Sequence, residues 1–207
     1  MSNQAPSEHI PRRLSWFTLC CLWLILSCGG LAMLSMYANS QGSSQSTSSE
    51  WPVDSKLQLS ERGATLLLFA HPRCPCTRAT LGELEKIVAR FKNSVTVRVL
   101  FFKPHDSDES WDETDLRKTA TAIPGVLVVS DVEGVEARRF NATTSGAAFL
   151  YDDQGKLLFS GGITLARGHA GDNPGRSALE SSLTDAVRPC CHTPVFGCPI
   201  AVSIEQE

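Results

Sequence analysis

The sequence predicts an α/β fold: a mixed sheet with helices on both faces, preceded by one N-terminal transmembrane helix. Three observations lead there. From residue 66 onward, apolar runs of strand length alternate with segments of helical periodicity. Asp152-Asp153-Gln154-Gly155 separates the last two runs and marks a hairpin. An uncharged stretch, residues 14–36, precedes all of this.

Residues 1–13 are polar and end in Pro11-Arg12-Arg13. At about 1.5 Å per residue, residues 14–36 are long enough to cross a hydrocarbon core of about 30 Å. Arg12 and Arg13 precede the run, and no Lys or Arg follows it until Lys56. The positive-inside rule therefore leaves residues 1–13 in the cytoplasm and exports the rest. This reads as a single pass through a bacterial cytoplasmic membrane, with the domain facing the periplasm or exterior. A cleaved signal sequence is the competing reading. Ile25-Leu26-Ser27-Cys28-Gly29 loosely resembles a lipobox with Cys28 as the lipidated residue. Cys20, Cys21 and Cys28 otherwise read as apolar filler. Residues 37–50 are mostly small and polar, as a flexible Ser-rich linker would be.

The exported domain is expected over residues 51–188, with a Cys-rich tail at 189–207. Residues 66–70 form a continuous apolar run, as in a strand buried on both faces. Residues 77–92 place Leu81, Leu84, Ile87, Val88 and Phe91 on one helical face and Glu83, Glu85, Lys86 and Arg90 on the other. Residues 95–102, VTVRVLFF, are β-branched and aromatic and read as a second strand. A helix is expected over 108–122, a strand over 126–129, and a short helix over 131–140, weakened by Gly134. Residues 147–151 and 156–160 are the hairpin strands. A last helix starts at Pro174, capped by Asp172 or Asn173, with Ala178, Leu179, Leu183, Ala186 and Val187 inward. Strands joined by helices pair in parallel, and the hairpin adds an antiparallel edge.

Composition adds little. The chain has 207 residues, 42% hydrophobic and 20% charged, with a net charge of −3. That suits one domain plus an extension and gives no reason to propose nucleic acid as a partner. The chemistry lies in the cysteines. Cys74 and Cys76 stand where the first strand gives way to the first helix of the domain. A helix N-terminus leaves N–H groups unpaired and carries partial positive charge, which stabilises a thiolate. His71, Arg73 and Arg78 add positive potential nearby.

A buried strand, cysteines at a helix start, a βα unit and a terminal hairpin plus helix resemble the thioredoxin-like superfamily over residues 60–190. The pieces FAHPRCPCTRA, TTSGAAFLYDDQGKLLFSGGIT and RGHAGDNPGRSALE are similar to bacterial RedB-like thioredoxin-domain proteins. The resemblance implies a thiol–disulfide oxidoreductase in which Cys74 attacks and Cys76 resolves; the neighbouring residues add the expectation that Arg73 lowers the thiol pKa and His71 assists proton transfer. It implies a protein thiol or disulfide as substrate, a redox donor of unknown identity, and no organic cofactor. Two departures stand out. Thr77 occupies the family's second cysteine position, giving Cys-x-Cys. Gly146, preceded by Ser145, aligns with the family's cis-proline. A Cys-x-Cys disulfide closes a very small ring and is expected to be strained and oxidising. The Thr or Ser that peroxiredoxins need three residues before the reactive cysteine is absent, since His71 precedes Cys74 and Arg73 precedes Cys76.

The tail RPCCHTPVFGCPI carries Cys190, Cys191, His192 and Cys198. The exported part thus has an odd number of cysteines, leaving at least one free unless chains pair. Two readings stand. Either Cys190 or Cys191 bridges Cys198, or a tail cysteine resolves a disulfide on Cys74 or shares a soft metal with it. Thiolates with imidazole suit copper or zinc, so Cys74, Cys76, His169 and His192 are the metal candidates of an alternative SCO-like metallochaperone reading. His169 otherwise reads as a solvated loop residue. A further alternative is an anchored binding domain whose cysteines are structural.

Overall fold

The structure, a computed structural model, describes residues 12–43, 48–61, 63–92, 94–184 and 191–200. It divides into two units, Met1–Ala38 and Asn39–Glu207. The first contains helix α1 (Arg12–Ala38). Its stretch Trp16–Ala38, with mean hydropathy 2.1, is long and apolar enough to cross a membrane.

The second unit has the element order β1 (Ala64–Ala70), α2 (Thr77–Arg90), β2 (Val95–Lys103), α3 (Asp115–Ala122), β3 (Val126–Val132), α4 (Val135–Arg139), β4 (Ala147–Tyr151), β5 (Leu157–Gly161), α5 (Pro174–Thr184) and β6 (Cys191–His192). The sheet runs β3-β2-β1-β4-β5-β6. β1, β2 and β3 are parallel, β4 and β5 run against them, and β6 joins β5 in parallel. This is the mixed sheet that the sequence predicts.

β1 is the centre because it is apolar on both faces. Every residue from Thr65 to Ala70 is buried. Successive side chains point to opposite faces of a strand. Leu66, Leu68 and Ala70 therefore enter one core with Leu81 and Leu84 of α2, Leu116 of α3 and Leu179 of α5. Leu67 and Phe69 enter the other with Ala137 and Phe140. Among the described residues the helix on the second face is the short α4. Trp51 completes it, packing edge-on against Phe140 and Tyr151 with centroids 5.0 and 5.1 Å apart. Val195 and Ile200 of the tail are buried in the same core.

Three differences from the sequence reading have physical causes. The helix expected from 108 starts at Asp115, because Thr114 caps it, its hydroxyl accepting from Arg117 N–H. The helix expected over 131–140 contracts to α4. Gly134 is left-handed there (φ 65°), and the Asp131 carboxylate accepts from the N–H groups of Glu136 and Ala137. The described parts of the Ser-rich linker lie on the domain: Gly42 N–H donates to Val195 O (2.9 Å), and Ser49 O accepts from Leu157 N–H (2.8 Å). Ala186 and Val187, expected inward on the last helix, lie outside the described residues.

Glu83 corrects the helix-face reading outright. Expected on the solvent side of α2, it is fully buried. Its carboxylate accepts from Arg176 (2.8 Å), Lys86 (2.8 Å) and Gly171 N–H (2.7 Å). It thus ties α2 to α5 and to the loop between β5 and α5. Removing one partner of a buried pair strands the other. Glu83→Ala is expected to lower unfolding stability by about 3 kcal/mol. Equilibrium urea denaturation measures this, and an unchanged midpoint would remove the structural role.

Candidate active site

β1 ends at Ala70, and the chain turns with Cys74 N–H donating to His71 O (3.1 Å). α2 begins at Thr77 with Cys76 as its N-cap. Cys74 is 1% exposed and Cys76 8%. The turn is braced by the loop before β4. Ser145 Oγ accepts from His71 N–H (2.8 Å) and lies 2.8 Å from Thr77 Oγ1.

The tail closes the site. After β6 it crosses the sheet end, and Thr144 and Pro199 form an antiparallel bridge. Ser145 N–H donates to Cys198 O (2.8 Å) and Ile200 N–H to Thr143 O (2.9 Å). Gly197 permits this approach, since a Cβ there would sit 1.9 Å from Ser145 O. Arg167 Nη1 donates to Gly197 O (2.6 Å), and its Nε donates to Ser40 O (3.1 Å). Cys74, Cys76 and Cys198 converge as a result.

Their protons are not equivalent. Burial pushes the Cys74 thiol up, but hydrogen bonds to its thiolate outweigh that and hold it below the ordinary value. The donors are the N–H and S–H of Cys198, the Thr77 hydroxyl and the Cys76 N–H. Burial raises Cys76, and the negative charge on Cys74 and the Cys76 S–H bond to it raise it further. Cys198 is pushed up to about 12 by burial, by donation to Cys74 and by the charges of Cys74 and Cys76. Arg167 partly offsets the rise at both. Deprotonation is thus favoured at Cys74 over Cys76 and Cys198.

The other candidates are placed differently. The His71 ring stacks on Phe102 (6.0 Å) and meets the edge of Trp111 (5.9 Å). Its Nδ1 accepts from Arg73 N–H (3.1 Å), and burial, then the Arg73 charge, lowers its pKa. The Arg73 guanidinium lies over Trp111 at 4.5 Å. The cation that bears on Cys76 and Cys198 is Arg167. Cys198 carries a free thiol, so the expected bridge to it is not formed. β6 seats Cys191 opposite Phe159, whereas Cys198 is carried to Cys74. Cys190 lies outside the described residues. His169 Nδ1 lies 3.3 Å from Arg167 O, and His192 Nδ1 bonds Ser160 Oγ. Among the described residues no group of three or more His, Cys, Asp or Glu could hold a metal ion.

Three site residues escaped the sequence reading: Thr77 and Ser145, seen only as departures from a motif, and Arg167, seen only as a neighbour of His169. Thr77 carried the one usable signal, a hydroxyl at the position expected for a second thiol.

No protein-family model matches the chain, and no curated protein matches it. Solved structures do. An uncharacterised conserved protein from Geobacillus kaustophilus overlays with a TM-score of 0.57 at 16% identity, covering 81% of this chain and 95% of that one. A hypothetical protein from Sinorhizobium meliloti overlays at 0.55 and 19%, covering 78% and 93%. A secreted Mycobacterium tuberculosis disulfide oxidoreductase overlays at 0.43 and 16%, covering 61% and 83%. The first two define the fold and leave the chemistry to the residues.

Thr77→Val removes one donor to a charged sulfur, worth about 1.5 kcal/mol or more. Alkylation of Cys74 at neutral pH is expected to slow on the order of tenfold, with the midpoint of its pH profile moving up. An unmoved midpoint would remove Thr77 from the thiolate's donors.

Proposed function

We propose that the chain is a membrane-anchored thiol–disulfide oxidoreductase acting outside the cytoplasm. One observation carries this reading: a buried Cys74 sulfur just before the start of α2, with four donors converging on it that favour its thiolate, beside the Cys76 and Cys198 thiols. The thiolate is the nucleophile of disulfide exchange, and a protonated neighbour supplies the second thiol. A structural cysteine pair has no use for donors aimed at its charged form.

The Cys74 thiolate attacks one sulfur of a protein disulfide. A Cys74–substrate bond forms, and the substrate's other sulfur leaves as a thiolate and takes a proton. Cys76, once deprotonated, then attacks Cys74 and expels the first substrate sulfur. The substrate gains two electrons and two protons, and the protein becomes the Cys74–Cys76 disulfide. Run backwards, the same steps oxidise a dithiol. The cysteines carry the electrons, so no organic cofactor takes part. The uncharged helix after Arg12 and Arg13 supports anchoring with the domain outside, and the three quoted sequence pieces support the RedB-like grouping.

The test uses the full chain in detergent micelles with a disulfide-bonded protein and dithiothreitol. Cys74→Ser is expected to reduce turnover to the background rate. Cys76→Ser is expected to accumulate a mixed disulfide between Cys74 and the substrate. Full activity in Cys74→Ser would overturn the proposal. Stoichiometric Cu(I) or Zn(II) on the reduced thiols, lost in the Cys74→Ser/Cys76→Ser double variant and accompanied by no turnover, would favour the metallochaperone reading.

A further inference from the structure

We infer that the tail segment from Val195 to Ile200 is a built-in substrate mimic, and that Cys198 is a third redox thiol that forms an internal disulfide with Cys74. The inference rests on the proposed exchange chemistry and adds a partner to it.

The geometry is that of an extended peptide docked beside a reactive thiol. The edge nearest Cys74 is Thr143–Ser145, tied to the active-site turn through Ser145 Oγ. The tail uses that edge in antiparallel fashion, with Ser145 N–H donating to Cys198 O and Ile200 N–H to Thr143 O. Backbone pairing gives affinity without side-chain selection. Cys198 is the residue delivered to the sulfur, between two anchors, Val195 and Ile200, that are both buried. Arg167 and Gly42 hold the segment from its outer side through Gly197 O and Val195 O. With the strap seated, Cys74 is 1% exposed, so a protein partner reaches it only after the strap lifts.

The step balances without another reagent. In oxidised protein the Cys198 sulfur, after losing its proton, attacks Cys74 of the Cys74–Cys76 disulfide. A Cys74–Cys198 bond forms, the Cys74–Cys76 bond breaks, and Cys76 leaves as a thiolate that takes the proton. No electrons enter or leave. The exchange replaces the very small ring of a Cys-x-Cys disulfide by a large one, relieving the constraint on its geometry. It also fastens the strap, so the oxidised protein is covered and the reduced protein can open.

The full chain in detergent is equilibrated in graded glutathione buffers, acid-quenched, alkylated and mapped. The expected result is a Cys74–Cys198 linked peptide with Cys76 alkylated, and its replacement by Cys74–Cys76 in Cys198→Ser. Gly197→Ala, whose added Cβ meets Ser145 O, is expected to raise Cys74 alkylation on the order of tenfold by favouring local opening. That comparison is made where Cys74 is ionised in both proteins. If Cys74–Cys76 forms while Cys198 stays alkylatable at every potential, the inference is overturned and the proposed function stands. If Cys74 forms no disulfide at any potential, both fall.

Discussion

A cysteine sulfur that is 1% exposed can ionise only with donors inside the protein, because burying an unpaired charge is strongly unfavourable. Cys74 finds them in two parts of the chain that are far apart in sequence. Cys76 and Thr77 open α2, and Cys198 lies near the C-terminus. The site can form only when the tail is on the sheet. The bridge of Thr144 to Pro199, the close pass of Gly197 over Ser145 O and the burial of Val195 and Ile200 all serve that placement. Arg167 holds the tail from above, and its loop is held in turn by Glu83 through Gly171 N–H. A buried carboxylate on α2 thus belongs to the support of a sulfur at the start of the same helix.

The same constraint orders the protons. Three thiols crowd one cation, and neighbouring charges of like sign oppose one another. Only one sulfur can carry charge at modest cost. The donors select Cys74, and its charge then raises Cys76 and Cys198. The order gives direction to the chemistry. Cys74 is the sulfur that ionises first, while its charge holds Cys76 and Cys198 toward their protonated forms. Once that charge is gone, the cause that raised both neighbours weakens, and Arg167 is left to favour their thiolates.

Much of the fold was legible because it rests on periodicity. The apolar run 66–70, the alternation of runs and helical segments, and the Asp-Asp-Gln-Gly turn specify the central strand, the parallel half and the hairpin. Glu83 was misread because its partners lie in Arg176 and Gly171, which no window along α2 contains. The partners of Trp51, Phe140 and Tyr151, were not legible because they are distant in sequence. In the site, Cys74 and Cys76 were legible from their place at a helix start. The cation was not, because Arg73 is adjacent in sequence yet engaged with Trp111, whereas Arg167 is remote in sequence yet adjacent in space. Cys198 could be read as a candidate, but its partner required the Thr144–Pro199 bridge, which two isolated residues do not announce.

The departures from the motif that the sequence resembles make sense together rather than one at a time. At the position of the family's second cysteine stands Thr77, whose hydroxyl bonds both the Cys74 sulfur and Ser145. A second thiol there would have supplied a resolving group but no link to the Ser145 edge. At the position of the family's proline stands Gly146, at φ 96° with its N–H donating to Phe69 O (2.8 Å). Proline could supply neither that φ nor that donor. Gly146 therefore keeps the Thr143–Ser145 edge pinned to β1, and that edge is what the tail pairs with. Two further thiols stand beside Cys74, Cys76 one residue before Thr77 and Cys198 on the tail. The tail pairs with the Thr143–Ser145 edge, and Thr77 and Gly146 are among the residues that hold that edge in place.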